Sequence, residues 1–128
     1  PVTITATPTA GGAPLSYTFT VTDWFINNGS TGMTWSDAAN WCTNQSATQP
    51  TRAQLTQGIS ARGVGSLWSE WGRWDSYSDS GFVRNGYWTS EVNIDGIHHT
   101  IYYLNGKVND VNYLDSNLGF RAICQQSL

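Results

Sequence analysis

The stretch Thr34-Trp35-Ser36-Asp37-Ala38-Ala39-Asn40-Trp41-Cys42 constrains this chain most, together with the position of the other cysteine, Cys124. The stretch reads as a short amphipathic helix. Thr34 is placed to act as N-cap, and Asp37 three residues on completes a capping-box pattern with Asp in place of Glu. Trp35, Ala38, Ala39 and Cys42 fall at i, i+3, i+4 and i+7, a single apolar stripe. The stripe ends in a cysteine, and its only possible partner lies four residues from the end of the sequence. If the two are joined, a helix near the start is stapled to the last strand, closing a loop of about 80 residues worth roughly 4 kcal/mol in the chain-entropy model. The other reading is two buried free thiols.

Composition narrows the function classes. With 128 residues the chain makes one domain, with room for a short piece of a neighbour. Charged residues are 12%, the net charge is −3, and Lys107 is the sole lysine. Phosphate neutralisation needs clustered Lys and Arg, so a nucleic-acid partner is disfavoured, and no polybasic patch addresses a membrane surface. No apolar run is long enough to span a bilayer, and direct membrane insertion is not expected. No signal peptide is present, so the chain reads as mature or cut from something larger. Seven Trp, six Tyr and 13 Gly among many Thr, Ser and Asn match secreted and cell-surface β-rich modules.

The order of elements points to α+β. Val2 to Thr7 alternates apolar residues with Thr, Pro8 to Pro14 breaks the pattern, and Tyr17 to Val21 alternates again. Residues 1–22 are therefore either an N-terminal hairpin of this domain or the trailing edge of a preceding β-sandwich with a linker. Trp24-Phe25-Ile26 leads into a turn at Asn27-Asn28-Gly29. Thr51-Arg52-Ala53-Gln54 is a second capping box opening a short helix, and Ser66 to Trp71 carries a further helical turn or two closed by Gly72. Residues 73–86 show no period and read as a loop. Tyr87–Ile94, Ile97–Leu104 and Lys107–Val111 form a meander around Asp95-Gly96 and Asn105-Gly106, and Leu118–Cys124 is the last strand.

These pieces resemble the C-type lectin-like domain and, more narrowly, the C-terminal tip domain of intimin/invasin-type bacterial adhesins. The resemblance is carried by Met33 to Cys42, by Gln49-Pro50-Thr51, by Leu67 to Gly72, by Tyr87-Trp88-Thr89-Ser90 and by Gly119 to Cys124, spanning about residues 24–126. It implies a domain at 23–128 stapled by Cys42–Cys124, with 1–22 ending a preceding immunoglobulin-like repeat. It further implies a place at the bacterial cell surface, on an outer-membrane protein, in contact with a host surface protein or glycoprotein, or with a glycan. Calcium-dependent lectins of this fold hold the ion with a Glu-Pro-Asn or Gln-Pro-Asp triplet and a Trp-Asn-Asp triplet. Here Val108-Asn109-Asp110 sits where the latter would, but the former has no counterpart. Two oxygen-bearing side chains are too few for Ca2+, so Asn109 and Asp110 are read as turn residues and binding as calcium-independent, with no metal and no cofactor.

The contact surface is assigned to the loop 73–86. Arg73, Trp74, Asp75, Tyr77, Phe82 and Arg84 set aromatic rings among arginines, a mixture that suits a protein or sugar partner. Against this stands a reading in which Trp74 and Phe82 fold back over a small core. A flat exposed platform of Trp74, Tyr77 and Phe82 would favour sugar stacking; a ridge beside Arg73 and Arg84 would favour a protein. Trp68 and Trp71, three apart, are read as sharing a buried helical face. His98 and His99 point to opposite sides of a strand, one packed and one exposed. Glu70 with Asp75, or Asp79 with Glu91, is a conceivable carboxylate pair for glycoside hydrolysis, yet nothing holds either pair at a working separation. The Gly-Phe-Arg near the end also resembles the lectin-like fold of sulfatase-modifying proteins, which would need a free reactive thiol. No enzymatic activity is expected. Asn28-Gly29-Ser30 and Asn44-Gln45-Ser46 match the N-glycosylation pattern and would matter only in a eukaryotic secreted chain.

Overall fold

The computed structural model describes residues 1–93, 95–109 and 114–128. Two hydrogen-bonded sheets are present among them. The first is a hairpin of β1 (Val2–Ala6) and β2 (Leu15–Phe19). The second has five strands: β3 (Asp23–Gly32), β4 (Gly86–Val92), β5 (His98–Tyr102), β6 (Val108–Asn109) and β7 (Arg121–Ser127). Their spatial order is β3-β7-β4-β5-β6. The meander β4-β5-β6 follows the expected hairpins, with Gly96 (φ +77°) and Gly106 (φ +70°) supplying left-handed turn conformations. The last strand does not extend the meander. It inserts between β3 and β4, antiparallel to β3 and parallel to β4, where Tyr87 and Arg121 are paired.

Insertion buries β7 and β4 on both faces. On one face Trp88, Ala122 and Cys124 meet α1 (Trp35–Asn44), whose Ala38 and Cys42 are fully buried. On the other, Tyr87, Ile101 and Ile123 pack against Leu55 of α2 (Arg52–Leu55) and Trp68 of α3 (Leu67–Trp71). Alternation along each strand sends successive side chains to these two layers. The helix starts follow the caps read in the sequence. Thr51 Oγ1 accepts from Gln54 N while Gln54 Oε1 accepts from Thr51 N, a complete capping box. In α1 the Thr34 half is made, with Asp37 N donating to Thr34 Oγ1 at 3.2 Å.

Cys42 and Cys124 are bonded, with Cα atoms 5.4 Å apart and a sequence separation of 82. The bridge ties α1 to the inserted strand. The tryptophan N–H groups reinforce the same junction: Trp88 Nε1 donates to Met33 O and Trp35 Nε1 to Thr89 O.

Three expectations change. The turn at Asn27-Asn28-Gly29 lies inside β3, where the register with β7 shifts between Asn27 and Gly32 and Gly29 has φ +60°. Asn27 Oδ1 accepts from Gly29 N, so a local side-chain turn is accommodated as an irregularity of an edge strand. Both histidines are packed. His99 is 7% exposed, and His98 stacks on Trp35 at 3.6 Å between centroids while its Nδ1 meets Asp115 Oδ2 at 2.8 Å. Both faces of β5 are covered, so alternation does not expose either ring. Trp71 is 57% exposed rather than core. Asn109 lies in β6; Asp110 and Val111 of the expected third strand are outside the described residues, as are residues 112–113 and Ile94.

Replacing both cysteines by serine, or reducing the bridge, is expected to lower stability by about 4 kcal/mol through the loop it closes. Chemical denaturation under oxidising and reducing conditions checks this; coincident curves would remove the bridge from the account of stability.

Candidate functional site

The loop 73–86 begins where α3 ends. Gly72 (φ +71°) turns the chain, and its N–H donates to Trp68 O. Trp68 points into the core and its Nε1 donates to Tyr103 O at 3.1 Å. A residue three further along a helix sits about 60° round the axis. In a helix of five residues that rotation carries Trp71 past the edge of the packed face, and its ring stands in solvent.

Immediately afterwards the chain dives inward. A single 3-10 turn, Trp74–Ser76, places Trp74 at 1% exposure. Its ring lies 5.2 Å from Tyr87, edge-on, and 5.3 Å from Phe82, which in turn lies 5.4 Å from Tyr87. Edge-to-face rings at these separations add to the burial energy. The Tyr87 hydroxyl donates to Val83 O and accepts from Val83 N, fastening the far end of the loop. Burial pushes the Tyr87 phenol up to about 12, so it stays neutral. Asn27 Nδ2 donates to Ser80 O, tying the loop to the irregular part of β3.

Of the six residues assigned to the contact, Trp74 is therefore corrected to core, and Phe82 is half-buried against it. Of the remaining four, Arg73, Tyr77 and Arg84 are accessible and Asp75 is largely covered between the two arginines. Tyr77, 44% exposed, donates its hydroxyl to Trp71 O at 2.8 Å and sets its ring edge against Trp71 at 5.4 Å and 79°. Asp75 accepts from Arg73 Nε on Oδ1, and on Oδ2 from Arg73 Nη2 at 3.0 Å and Arg84 Nε at 3.1 Å. The hydrogen bond from Arg73 holds the Asp75 carboxyl below the ordinary carboxylate value, with Arg84 contributing further, against the opposing effect of desolvation. The exposed groups are a ridge of two perpendicular rings, Trp71 and Tyr77, and an Arg73-Asp75-Arg84 ladder, with Arg73 and Asp75 each two residues along the chain from one of the rings. Trp71 was not among the expected contact residues, although the glycine directly after it marks where its helix stops.

Other polar groups are engaged in structure. Glu70 Oε2 accepts from Gly65 N, Glu91 pairs with Arg52 at 2.8 Å, and Asp115 receives the backbone N–H of His98. A shallow groove of about 920 Å³ beside the β4–β5 turn is lined by Arg52, Ser90, Glu91, Asn93 and His99. Among the described residues no three His, Cys, Asp or Glu side chains are grouped to hold a metal ion.

Comparison with known proteins places this geometry in context. No family model matches the chain. Over 88 residues, 68% of the chain, it is 44% identical to the inverse autotransporter adhesin YeeJ of Escherichia coli strain K12. That segment is 4% of YeeJ, so the chain spans a small part of this relative. Among solved structures it superimposes on invasin, a bacterial integrin-binding protein, with a TM-score of 0.74 and 20% identity. The match covers 98% of this chain and 25% of that one, and at this identity it establishes the fold.

Trp74→Ala is expected to destabilise the chain by about 3–5 kcal/mol, since it empties the centre of an aromatic cluster. Trp71→Ala is expected to change stability by less than about 0.5 kcal/mol, as for a surface position. Urea unfolding of the two variants reads the difference directly; similar losses at both positions would contradict the core and surface placements.

Proposed function

We propose that this chain, a homologue of a segment of the inverse autotransporter adhesin YeeJ that carries the invasin-type C-type lectin-like fold, is the distal binding module of a bacterial surface adhesin. It is displayed on the outside of the cell as part of an outer-membrane protein and binds, rather than chemically alters, a protein or glycoprotein on a host surface. Binding needs no calcium. The observation that carries the choice of a protein contact is the shape of the exposed aromatic surface. Trp71 and Tyr77 meet edge-on at 79°, Arg73 and Arg84 are exposed in the adjoining segment of chain, and Trp74 and Phe82 are withdrawn into the core cluster. A sugar ring stacks on a flat aromatic face, whereas a ridge of Trp and Tyr with neighbouring Arg has the composition of protein-binding hot spots.

The leader 1–22 belongs, in this reading, to a preceding immunoglobulin-like repeat, and the binding module is 23–128. Register in the hairpin pairs Val2 with Phe19, Ile4 with Tyr17 and Ala6 with Leu15, which puts six apolar side chains on one face. The other face carries hydroxyls, with Thr3 and Thr18 bonded at 2.9 Å and Thr5 and Ser16 at 3.2 Å. Ile4, Leu15 and Tyr17 are each more than half exposed. A two-stranded hairpin with a bare apolar face is marginal alone in water, so it calls for the rest of a sandwich.

Deleting residues 1–22 is expected to leave the melting temperature of the remaining domain unchanged within about 2 °C, and a drop of more than about 8 °C would assign the hairpin to the domain itself. The functional reading is tested by adhesion of the labelled 128-residue chain to cultured mammalian epithelial cells, with calcium and with chelator. Trp71→Ala is expected to weaken binding about tenfold with an unchanged melting temperature, and chelation to have no effect. Undiminished binding by the variant, or binding lost on chelation, would sink it.

A further inference from the structure

We propose that the Arg73–Asp75–Arg84 ladder beside the Trp71–Tyr77 ridge receives a carboxylate side chain of the partner protein, with Asp75 as the positioning residue that holds both guanidinium groups for it. This rests on the reading above that the ridge is a protein-contacting surface, and names the chemistry of what meets it.

The accessible groups are cationic and the anion between them is covered. The Asp75 side chain is 12% exposed, against 41% for Arg73 and 73% for Arg84. Both Asp75 oxygens already accept from these arginines, so the carboxylate is not free to receive a cation from outside. The N–H donors that remain are those of Nη1 and the second N–H of Nη2 on Arg73, and both Nη atoms of Arg84, none hydrogen-bonded to another described residue. Arg73 is further held by the ring of Tyr103, 5.6 Å from its guanidinium carbon. A guanidinium whose Nε edge is tied down keeps its fork in one orientation, so less side-chain freedom is lost when a carboxylate docks on the outer edge. Two forks sharing one carboxylate and carrying a net charge of +1 complement a second carboxylate. Asp79 is exposed in the same loop, so the surface is not uniformly basic and selectivity rests on the two oriented forks rather than on net charge. The exposed rings of Trp71 and Tyr77 next to the ladder would cover the apolar stem of an incoming acidic side chain and exclude water around the ion pair.

The test is a titration of the isotopically labelled 128-residue chain, followed by NMR at the Arg Nε–H and Trp indole signals. The probes are a short alanine peptide carrying two glutamates, the same peptide with glutamines, and sialyllactose as an acidic glycan. The glutamate peptide is expected to move the Arg73, Arg84 and Trp71 signals and to bind at least about tenfold more tightly than the glutamine peptide. Arg84→Lys keeps the charge but not the fork and is expected to reduce that preference several-fold. Asp75→Asn is expected to collapse the preference for glutamate over glutamine and to speed water exchange at Arg84 Nε–H. A merely structural Asp75 would alter stability and leave the preference intact. Should Asp75→Asn fail to fold, Arg84→Lys and the salt dependence of the wild-type titration decide alone. Equal response to both peptides, no response, a response away from this ladder, or a response to sialyllactose alone would overturn the proposal. None of these readings depends on the cell-adhesion result, so the two failures are separable.

Discussion

The structure depends on the position of β7. A strand from the end of the sequence lies between β3 and β4, and the Cys42–Cys124 bridge locks it to α1. Insertion gives β4 and β7 two buried faces and so divides the core into two layers. The α1 side is closed by Ala38 and Ala122, small residues around the paired rings of Trp88 and Phe120. The opposite side is closed by long side chains, Leu55, Trp68, Trp74 and Tyr87, because α2 and α3 are too short to cover a sheet by themselves. Strands buried on both faces need continuous apolar sequence, and Tyr87-Trp88 and Ala122-Ile123-Cys124 supply it.

The shortness of those helices decides what the surface exposes. A five-residue helix and a four-residue helix leave part of the sheet for the loop 73–86 to cover, and Trp74 does so. Bringing Trp74 down draws the loop into a tight arch. Its remaining large polar and aromatic side chains, Arg73, Tyr77 and Arg84, are left outside with Trp71. The same aromatic cluster that completes the core thus fixes the base of the exposed ridge. The fold is shared with invasin at 20% identity, and the ridge is built from Trp71 at the end of α3 and Tyr77 in the loop; a shared fold does not by itself carry a partner with it.

Much of the architecture was legible because it is set by local chemistry. Thr34, Thr51 and Gly72 mark helix boundaries through hydrogen bonds made within a turn of chain, and Asp95-Gly96 and Asn105-Gly106 mark hairpins through allowed backbone angles. The apolar stripe of α1 likewise pointed at its own buried face. The reading of Trp68 and Trp71 as a shared buried face went astray for the same reason. Spacing describes direction along an ideal helix, but whether a direction meets protein or water depends on what lies opposite. His98 shows the converse: alternation leaves one of the two histidines for solvent, yet its ring is covered by Trp35 and Asp115 from other parts of the sequence.

Local pattern and motif order were enough to fix the class of fold, the elements, the pair of cysteines and the family resemblance, since each is written in residues close together or in the order of short motifs. Which aromatic residues face solvent was settled by tertiary packing alone. Trp71 and Trp74 are three residues apart and chemically identical, yet one is 57% exposed and the other 1%. What separates them is the room left over Tyr87 and Ile123 by two short helices. That room is a property of non-local packing, to which no local pattern is sensitive.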